Sequence, residues 1–412
     1  MLNVAIIGAG AAGLMAACAA GESGNAAVTL FEKNSYCGKK IGITGKGRCN
    51  VTNTASVEEM LRFIPRGSKF LLSALHTFPP EELRRFFEDC GVPLKTERGG
   101  RVFPVSDKAA DVASALTRKA LSFPTVSLKK EAVLSVEGSE GAFRIRTPRS
   151  EYGFDRVLIA TGGASYPATG SDGDGYLFAE RLGHRIVPLR PSLIPLLTRE
   201  KFPAECMGLS LKNTALRVET EGGKRVYEDF GEMLFCHFGV SGPMILSASA
   251  YLDFDREKQY RLYLDLKPAL SEEELDKRIL SDFSENINRD LVNAVSRLYP
   301  QKMIRPLLKS AGLDERKKVH LITRAERLRL VRLTKELSLT AVGFAPLEGA
   351  IITRGGVDLK EISPKTMESR LVKGLYFAGE VLDADALTGG FNLQIAFSTG
   401  YLAGKSISQE VL

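Results

Sequence analysis

A chain of 412 residues with 44% hydrophobic and 25% charged residues has the balance of a soluble globular protein, and its length suggests two or three domains. That balance excludes a disordered chain, a collagen-like fibre and a polytopic membrane protein. The 56 basic side chains exceed the 49 acidic ones by +7, a modest excess compatible with RNA, anionic surfaces or acidic small molecules.

Residues 3–7 read as a short buried strand. Gly8-Ala-Gly10-Ala-Ala12-Gly13 then opens an Ala-rich helix, and 28–31 form a second strand ending at Glu32. The stretch 4–20 has the outline of a signal-peptide core, but no Lys or Arg precedes it, and its spaced glycines have a better explanation. The spacing fits a strand–helix–strand unit for a dinucleotide. Gly8 turns the chain, Gly10 lets backbone N–H groups approach a pyrophosphate, and Gly13 lets helix and strand close up. The helix N-terminus supplies partial positive charge for the phosphates. Glu32 is placed to accept hydrogen bonds from an adenosine ribose, and its charge disfavours a 2′-phosphate.

Further along, helices are expected at 57–63 and 81–90, a connector at 98–107, and strands between 125 and 158, for example 143–147. An apolar strand from Arg156 ends in Ala160-Thr161-Gly162-Gly163, like the second contact strand of two-dinucleotide-binding flavoproteins. Pro188, Pro191 and Pro195 then open a β-alternating region that runs to about 266. From Ser271, with a capping box at Ser271-Glu-Glu-Glu274, the pattern is helical to about 337. Dinucleotide-fold character returns at about 343: a strand ends at Gly379-Glu380, and a Gly389-Gly390 loop enters a helix. This third element resembles the one that holds the ribityl chain and pyrimidine edge of FAD. The expected fold is therefore α/β, a two-dinucleotide-binding-type (Rossmann-like) FAD domain with an inserted β-rich plus helical domain. The FAD domain is discontinuous, 1–188 and 343–412. The insertion, 189–342, is a substrate or cap domain, β-rich over 189–268 and helical over 271–337, expected over or beside the flavin site.

None of the six cysteines (Cys18, Cys37, Cys49, Cys90, Cys206 and Cys236) lies in a C-x-x-C spacing. This predicts a reduced, cytoplasmic protein without disulfides or a metal site. No stretch approaches the ~20 apolar residues of a membrane span.

Several blocks together are similar to the BaiN/RdsA-type flavoproteins, also called the YhiN-like family. They are 38–53, with Gly47-Arg48-Cys49-Asn50, then 163–175, 235–243, 379–385 and 389–394. They span nearly the whole chain in family order. Cys236 stands where the family pattern has a Thr before His237, which leaves the role of position 236 open. The resemblance implies FAD and a flavin-dependent oxidoreductase. Lys40, Arg48, Thr161, Gly162, Gly379, Glu380, Asp383, Gly390 and Asn392 would then lie at the cofactor, beside Gly8, Gly10, Ala12, Gly13 and Glu32. Its members act on conjugated bile-acid ketones, a uracil of ribosomal RNA, or amines.

Hydride addition to a conjugated C=C leaves an enolate that must be protonated. Cys49, between Arg48 and Asn50, is one candidate donor, its thiol expected to be lowered in pKa by nearby cations. His237 is the other; Tyr166 and Ser241 are weaker ones. Lys46 and Arg48 are candidate anchors for an anionic substrate. Since no second G-x-G-x-x-G follows residue 13, a separate NAD(P)H-binding domain is not expected, and NAD(P)H would act as a transient donor through the substrate opening.

The basic charge is concentrated at 301–336, where eleven basic and four acidic side chains give +7, the whole formal excess. Leu330, Leu333 and Leu337 form a helical seam, with Arg324, Arg327, Arg332 and Lys335 expected to point away from it. This segment is either a solvated helix face or a phosphate-tracking surface for ribosomal RNA. The leading reading is an FAD-dependent reductase of an activated C=C bond in a steroid-like conjugated ketone or a pyrimidine. A flavin amine oxidase and an RNA-binding protein with a structural or sensing FAD remain alternatives, and the oligomeric state is not legible.

Overall fold

The computed structural model describes residues 1–139, 141–346 and 349–409. The chain forms two compact units, one of residues 1–192 and 350–412, the other of 193–349. Five positions of the expected 343–412 segment (347, 348 and 410–412) lie outside the described residues.

The first unit is built on a five-stranded parallel sheet. Its order is Leu375–Phe377, Arg156–Ile159, Leu2–Ile7, Ala26–Phe31, Val126–Lys129. Val4 to Ile7 are buried on both faces, which is why the first strand reads as an uninterrupted apolar run. The helix Ala11–Ser23 packs against the C-terminal helix Phe391–Ile407 at very close range. A Cβ on Gly400 or Gly404 would stand 2.3 Å from the carbonyl oxygens of Ala12 and Ala16. The Ala-rich first helix and two glycines four residues apart thus let the helix backbones meet.

Two antiparallel three-stranded sheets join this unit. Ser135–Ser139, Ala142–Arg146 and Glu151–Phe154 pair as a meander, within the region expected to alternate as strands. The expected connector at 98–107 instead contains the strand Arg101–Pro104, which pairs with Thr52–Asn53 and Leu94–Glu97. Expected helices appear as Val57–Met60, continued by a 3-10 turn, and as Pro80–Asp89.

The second unit holds a closed six-stranded barrel ordered Leu196–Thr198, Gly239–Ser241, Arg225–Cys236, Ser210–Thr220, Tyr260–Asp265, Leu337–Phe344. Closure removes sheet edges, and the alternating side chains Leu216, Val218, Leu262, Leu264 and Leu339 are buried. The helices Glu272–Glu285, Gln301–Ser310 and Arg324–Lys335 belong to this unit. The Ser271 capping box is complete: Glu274 N–H donates to Ser271 Oγ, and Ser271 N–H donates to the Glu274 carboxylate.

Two expectations for the basic segment are corrected. Leu337 leaves the seam because it begins the strand that closes the barrel. Arg327 and Lys335 do not point freely into solvent: Arg327 is paired with Asp276 at 2.6 Å and Lys335 with Asp265 at 2.6 Å, both side chains largely covered. Arg305, Lys309, Lys317 and Lys318 also pair with acids. Arg316, Arg324, Arg329 and Arg332 are exposed and have no acidic side-chain partner among the described residues.

Candidate functional site: a cleft at the strand ends

A cleft of about 1290 Å³, counting its open mouth, lies in the first unit; Gly8 and Glu32, just past the first two strands, and Thr161, Glu380 and Asn392 are among the residues that line it. The C-terminal ends of parallel strands are where open α/β sheets bind ligands.

The glycine motif divides its labour there. Gly8 has φ +101°, and a Cβ on Gly13 would stand 1.8 Å from the Gly8 carbonyl oxygen, so both serve the protein's own packing. Gly10, with φ −86°, has a backbone any residue adopts, and a Cβ there would meet no atom within 4 Å. Neither conformation nor neighbouring protein atoms require glycine at position 10, and the space over the helix N-terminus is open there.

At the end of the second strand, Glu32 is buried. Its carboxylate accepts from Ala9 N–H (2.9 Å), Asn34 N–H (2.8 Å) and Asn34 Nδ2 (2.7 Å). Three of about four acceptor positions are filled, leaving about one for a ligand. Asn34 also donates to Thr169 O at 3.1 Å, and Lys33 pairs with Asp172 (2.6 Å) and Asp174 (2.7 Å). Neither tie was legible in the sequence.

Midway along, Lys40 pairs with Glu380 at 2.6 Å and donates to Ser165 Oγ at 2.7 Å. Glu380 also accepts from Ser165 Oγ (2.9 Å) and Thr353 N–H (2.8 Å). One Lys40 donor and about one Glu380 acceptor position remain for a ligand carrying both hydroxyl and phosphate oxygens. Ser165 lies in a block the family resemblance marked; Thr353 carried no signal. Thr161 Oγ1 is buried without a hydrogen-bond partner among the described residues. Gly162 and Gly379 have φ +79°, and a Cβ on Gly379 would stand 2.9 Å from that of Ala12. Asn392 is locked by Ala386, accepting from its N–H at 2.8 Å and donating to its carbonyl at 2.7 Å. Gly390, φ +97°, begins the helix with no side-chain cap, so the first N–H groups stay available. The open position at Gly10 and the half-satisfied Lys40–Glu380 node fit FAD.

Three expected residues take other roles or environments. Arg48 is paired with Glu97 and, at 2.6 Å, with Asp107, and it stacks 4.3 Å over the Phe103 ring, so its charge is spent holding the signature loop. Cys49 is fully buried. Burial pushes its thiol up to about 12, outweighing the Thr44 hydroxyl, so the expected cation-lowered pKa is reversed. Asp383 is not among the lining residues; burial, reinforced by Asp385 and Asp358 against Arg66 and Arg354, pushes its carboxyl up to about 6. His237, in the second unit, is exposed at the hairpin between Arg225–Cys236 and Gly239–Ser241, edge-on to Phe238 at 4.9 Å. No described helix is long and apolar enough to cross a membrane.

Residues 2–406 match the family model described as HI0933-like protein Rossmann domain. A 3-dehydro-bile acid delta(4,6)-reductase from Clostridium scindens is 32% identical, over 99% of this chain and 100% of that one. A ribosomal RNA dihydrouridine synthase from Haemophilus influenzae is 31% identical, over 98% of each. Among solved structures, a 3-ketosteroid delta1-dehydrogenase from Sterolibacterium denitrificans, in complex with 1,4-androstadiene-3,17-dione, aligns with TM-score 0.50. The alignment covers 99% of this chain and 100% of that one at 15% identity, a likeness of fold. With a match over nearly its full length and relatives that are oxidoreductases, the chain belongs to the HI0933-like Rossmann family of flavin-dependent oxidoreductases.

Proposed function

We propose that the protein reduces a C=C bond conjugated to a carbonyl, using FAD held in the cleft and NAD(P)H as electron donor. FAD, when bound, supplies hydride at its N5 atom. The observation that carries the reading is Gly10: it is the one glycine of the motif whose place is explained by a ligand's phosphates rather than by the chain. The backbone N–H groups following it and the positive end of the helix Ala11–Ser23 hold the pyrophosphate. Glu32 accepts from the adenosine ribose, and Lys40 with Glu380 orients the ribityl hydroxyls. The uncapped N–H groups after Gly390 would favour negative charge on the pyrimidine edge of the bound flavin.

The enolate left by hydride addition needs a proton at its other end. Of the two candidate donors, the buried Cys49 thiol offers no surface to a substrate, whereas the His237 ring is exposed. The substrate class shared by the two similar relatives is a carbonyl-activated double bond. Four exposed arginines without acidic partners favour the pyrimidine of an RNA over a steroid-like ketone. The test is anaerobic mixing with NADH and with NADPH, followed by a uracil-containing ribosomal RNA transcript or a 3-oxo-4-ene steroid. Bleaching by one nucleotide and recovery of colour with one substrate support the proposal. Recovery only on admitting oxygen, with peroxide formed, makes the protein an oxidase instead.

A further inference from the structure

Downstream of Glu380 the chain runs through residues 383–390 to the C-terminal helix, and a distant segment, 63–67, is fastened along it. Arg66 grips Asp385 with both arms of its guanidinium, Nε to Oδ1 at 2.5 Å and Nη2 to Oδ2 at 2.6 Å. Asp385 is fully buried, and Ser192 Oγ donates to the same carboxylate at 2.9 Å. The backbones of Arg66 and Asp385 form an isolated antiparallel bridge, and Leu387 N–H donates to Phe63 O at 2.8 Å. The Phe63 ring stacks on Phe391, the first residue of the helix, with centroids 4.7 Å apart and planes 7° from parallel. Next to this clamp, a Cβ on Gly67 would stand 2.8 Å from that of Ala384, which lines the cleft.

A buried, forked ion pair is poor economy for stability alone, since apolar side chains of similar volume commonly do as well; what it adds is a single geometry. From the convergence of ion pair, bridge and ring stack we infer that Arg66 and Asp385 are positioning residues that set the Gly389–Gly390 turn, and with it the N–H groups of the first helical turn, against the flavin. The inference rests on the proposed FAD site and assigns that site a brace from outside the cleft. Neither residue touches the cofactor in this account; each acts through the turn.

The experiment separates positioning from folding. Asp385→Asn leaves Arg66 without its charge partner and lowers the thermal midpoint of the apoprotein. The double variant Arg66→Met with Asp385→Leu removes both charges and restores that midpoint toward the wild-type value. Titrated with FAD, the refolded-stable double variant binds about ten- to hundredfold more weakly than wild type, the scale of one charge-assisted contact misplaced. Its bound flavin also loses fine structure in the visible band. Arg66→Lys keeps the charge but not the fork, and it shows the same spectral change in a protein certain to retain the ion pair's attraction; it carries the test if the double variant does not fold. Wild-type FAD affinity and spectrum in either variant overturn the inference. A wild-type protein that takes up no FAD removes the proposed cofactor itself, and the inference with it.

Discussion

The two outer glycines and the middle glycine of the N-terminal motif should fail in different ways, and this is the sharpest test of the cofactor site. In Gly10→Val the new side chain enters space where no protein atom lies within 4 Å of a Cβ, on a backbone with φ −86°. Apoprotein stability should change by no more than about 1 kcal/mol, mostly through the weaker helix cap. The same side chain blocks the approach of phosphate oxygens to the backbone. Losing two charge-assisted hydrogen bonds at about 1.5–3 kcal/mol each weakens FAD binding by about 10²–10⁴-fold. Gly13→Ala reverses the pattern: its Cβ would stand 1.8 Å from the Gly8 carbonyl oxygen, so the strand–helix junction must move. That overlap should cost about 4 kcal/mol or more of folding stability. The assay pairs the FAD-to-protein absorbance ratio of the purified variants with thermal unfolding of their apoproteins. A Gly10→Val protein that is stable and fully yellow would refute the reasoning, as would a Gly13→Ala apoprotein as stable as wild type.

The other expectations are simpler. His184 is buried between Glu361 (Nδ1 to Oε2, 3.0 Å) and Ser369 (Nε2 to Oγ, 2.9 Å), and burial lowers its pKa below the ordinary value despite Glu361. Its stabilisation is therefore complete above about pH 6.5 and lost as pH falls through the lowered folded value, at no more than about 1.4 kcal/mol per pH unit; His184→Asn should flatten that fall in the thermal midpoint. Cys49 in the native protein should resist thiol reagents that react with it after unfolding, and rapid native labelling would contradict its burial. His237→Ala should slow product formation by about 10²–10⁴-fold while leaving flavin reduction by NAD(P)H intact; equal slowing of both half-reactions would remove it as proton donor. Charge reversal at Arg324, Arg329 and Arg332 should make the salt dependence of RNA binding shallower by about 2–3 in log–log slope, while Arg327→Glu, which breaks the pair with Asp276, should mainly destabilise the protein, by about 3 kcal/mol.

What could be read from the sequence was local. The first strand, the glycine turn and the acid at the end of the second strand lie within 31 residues, and each announces itself through backbone demands that few residue types meet. The Ser271 capping box was legible for the same reason, its two hydrogen bonds spanning three residues. The barrel was less so. Leu337–Phe344 follows a helix directly and carries apolar residues that continue the helical seam, so periodicity alone runs past the boundary; its identity as a strand comes from pairing with Tyr260–Asp265 and Leu196–Thr198.

Charge was the least legible, because a side chain's charge has consequences only through its partners. Arg48 beside Cys49 in the chain suggested an activated thiol, yet its guanidinium turns to Glu97 and Asp107, 49 and 59 residues away, and the thiol is left to burial. A helical wheel placed Arg327 and Lys335 correctly off the seam but could not supply Asp276 and Asp265, which come from other elements. The same blindness hid Arg66 and Asp385, 319 residues apart. These errors have a common direction. Reading charges from sequence overstates how many are free, so the field available to a polyanion should be taken from unpaired side chains rather than from net charge. For the basic segment that reduces eleven candidates to five, Lys302 and the arginines 316, 324, 329 and 332. At about 0.7 per phosphate on a single strand, five contacts limit the segment's share of the salt slope to about 3.5. A steeper measured slope must draw on cations elsewhere in the chain.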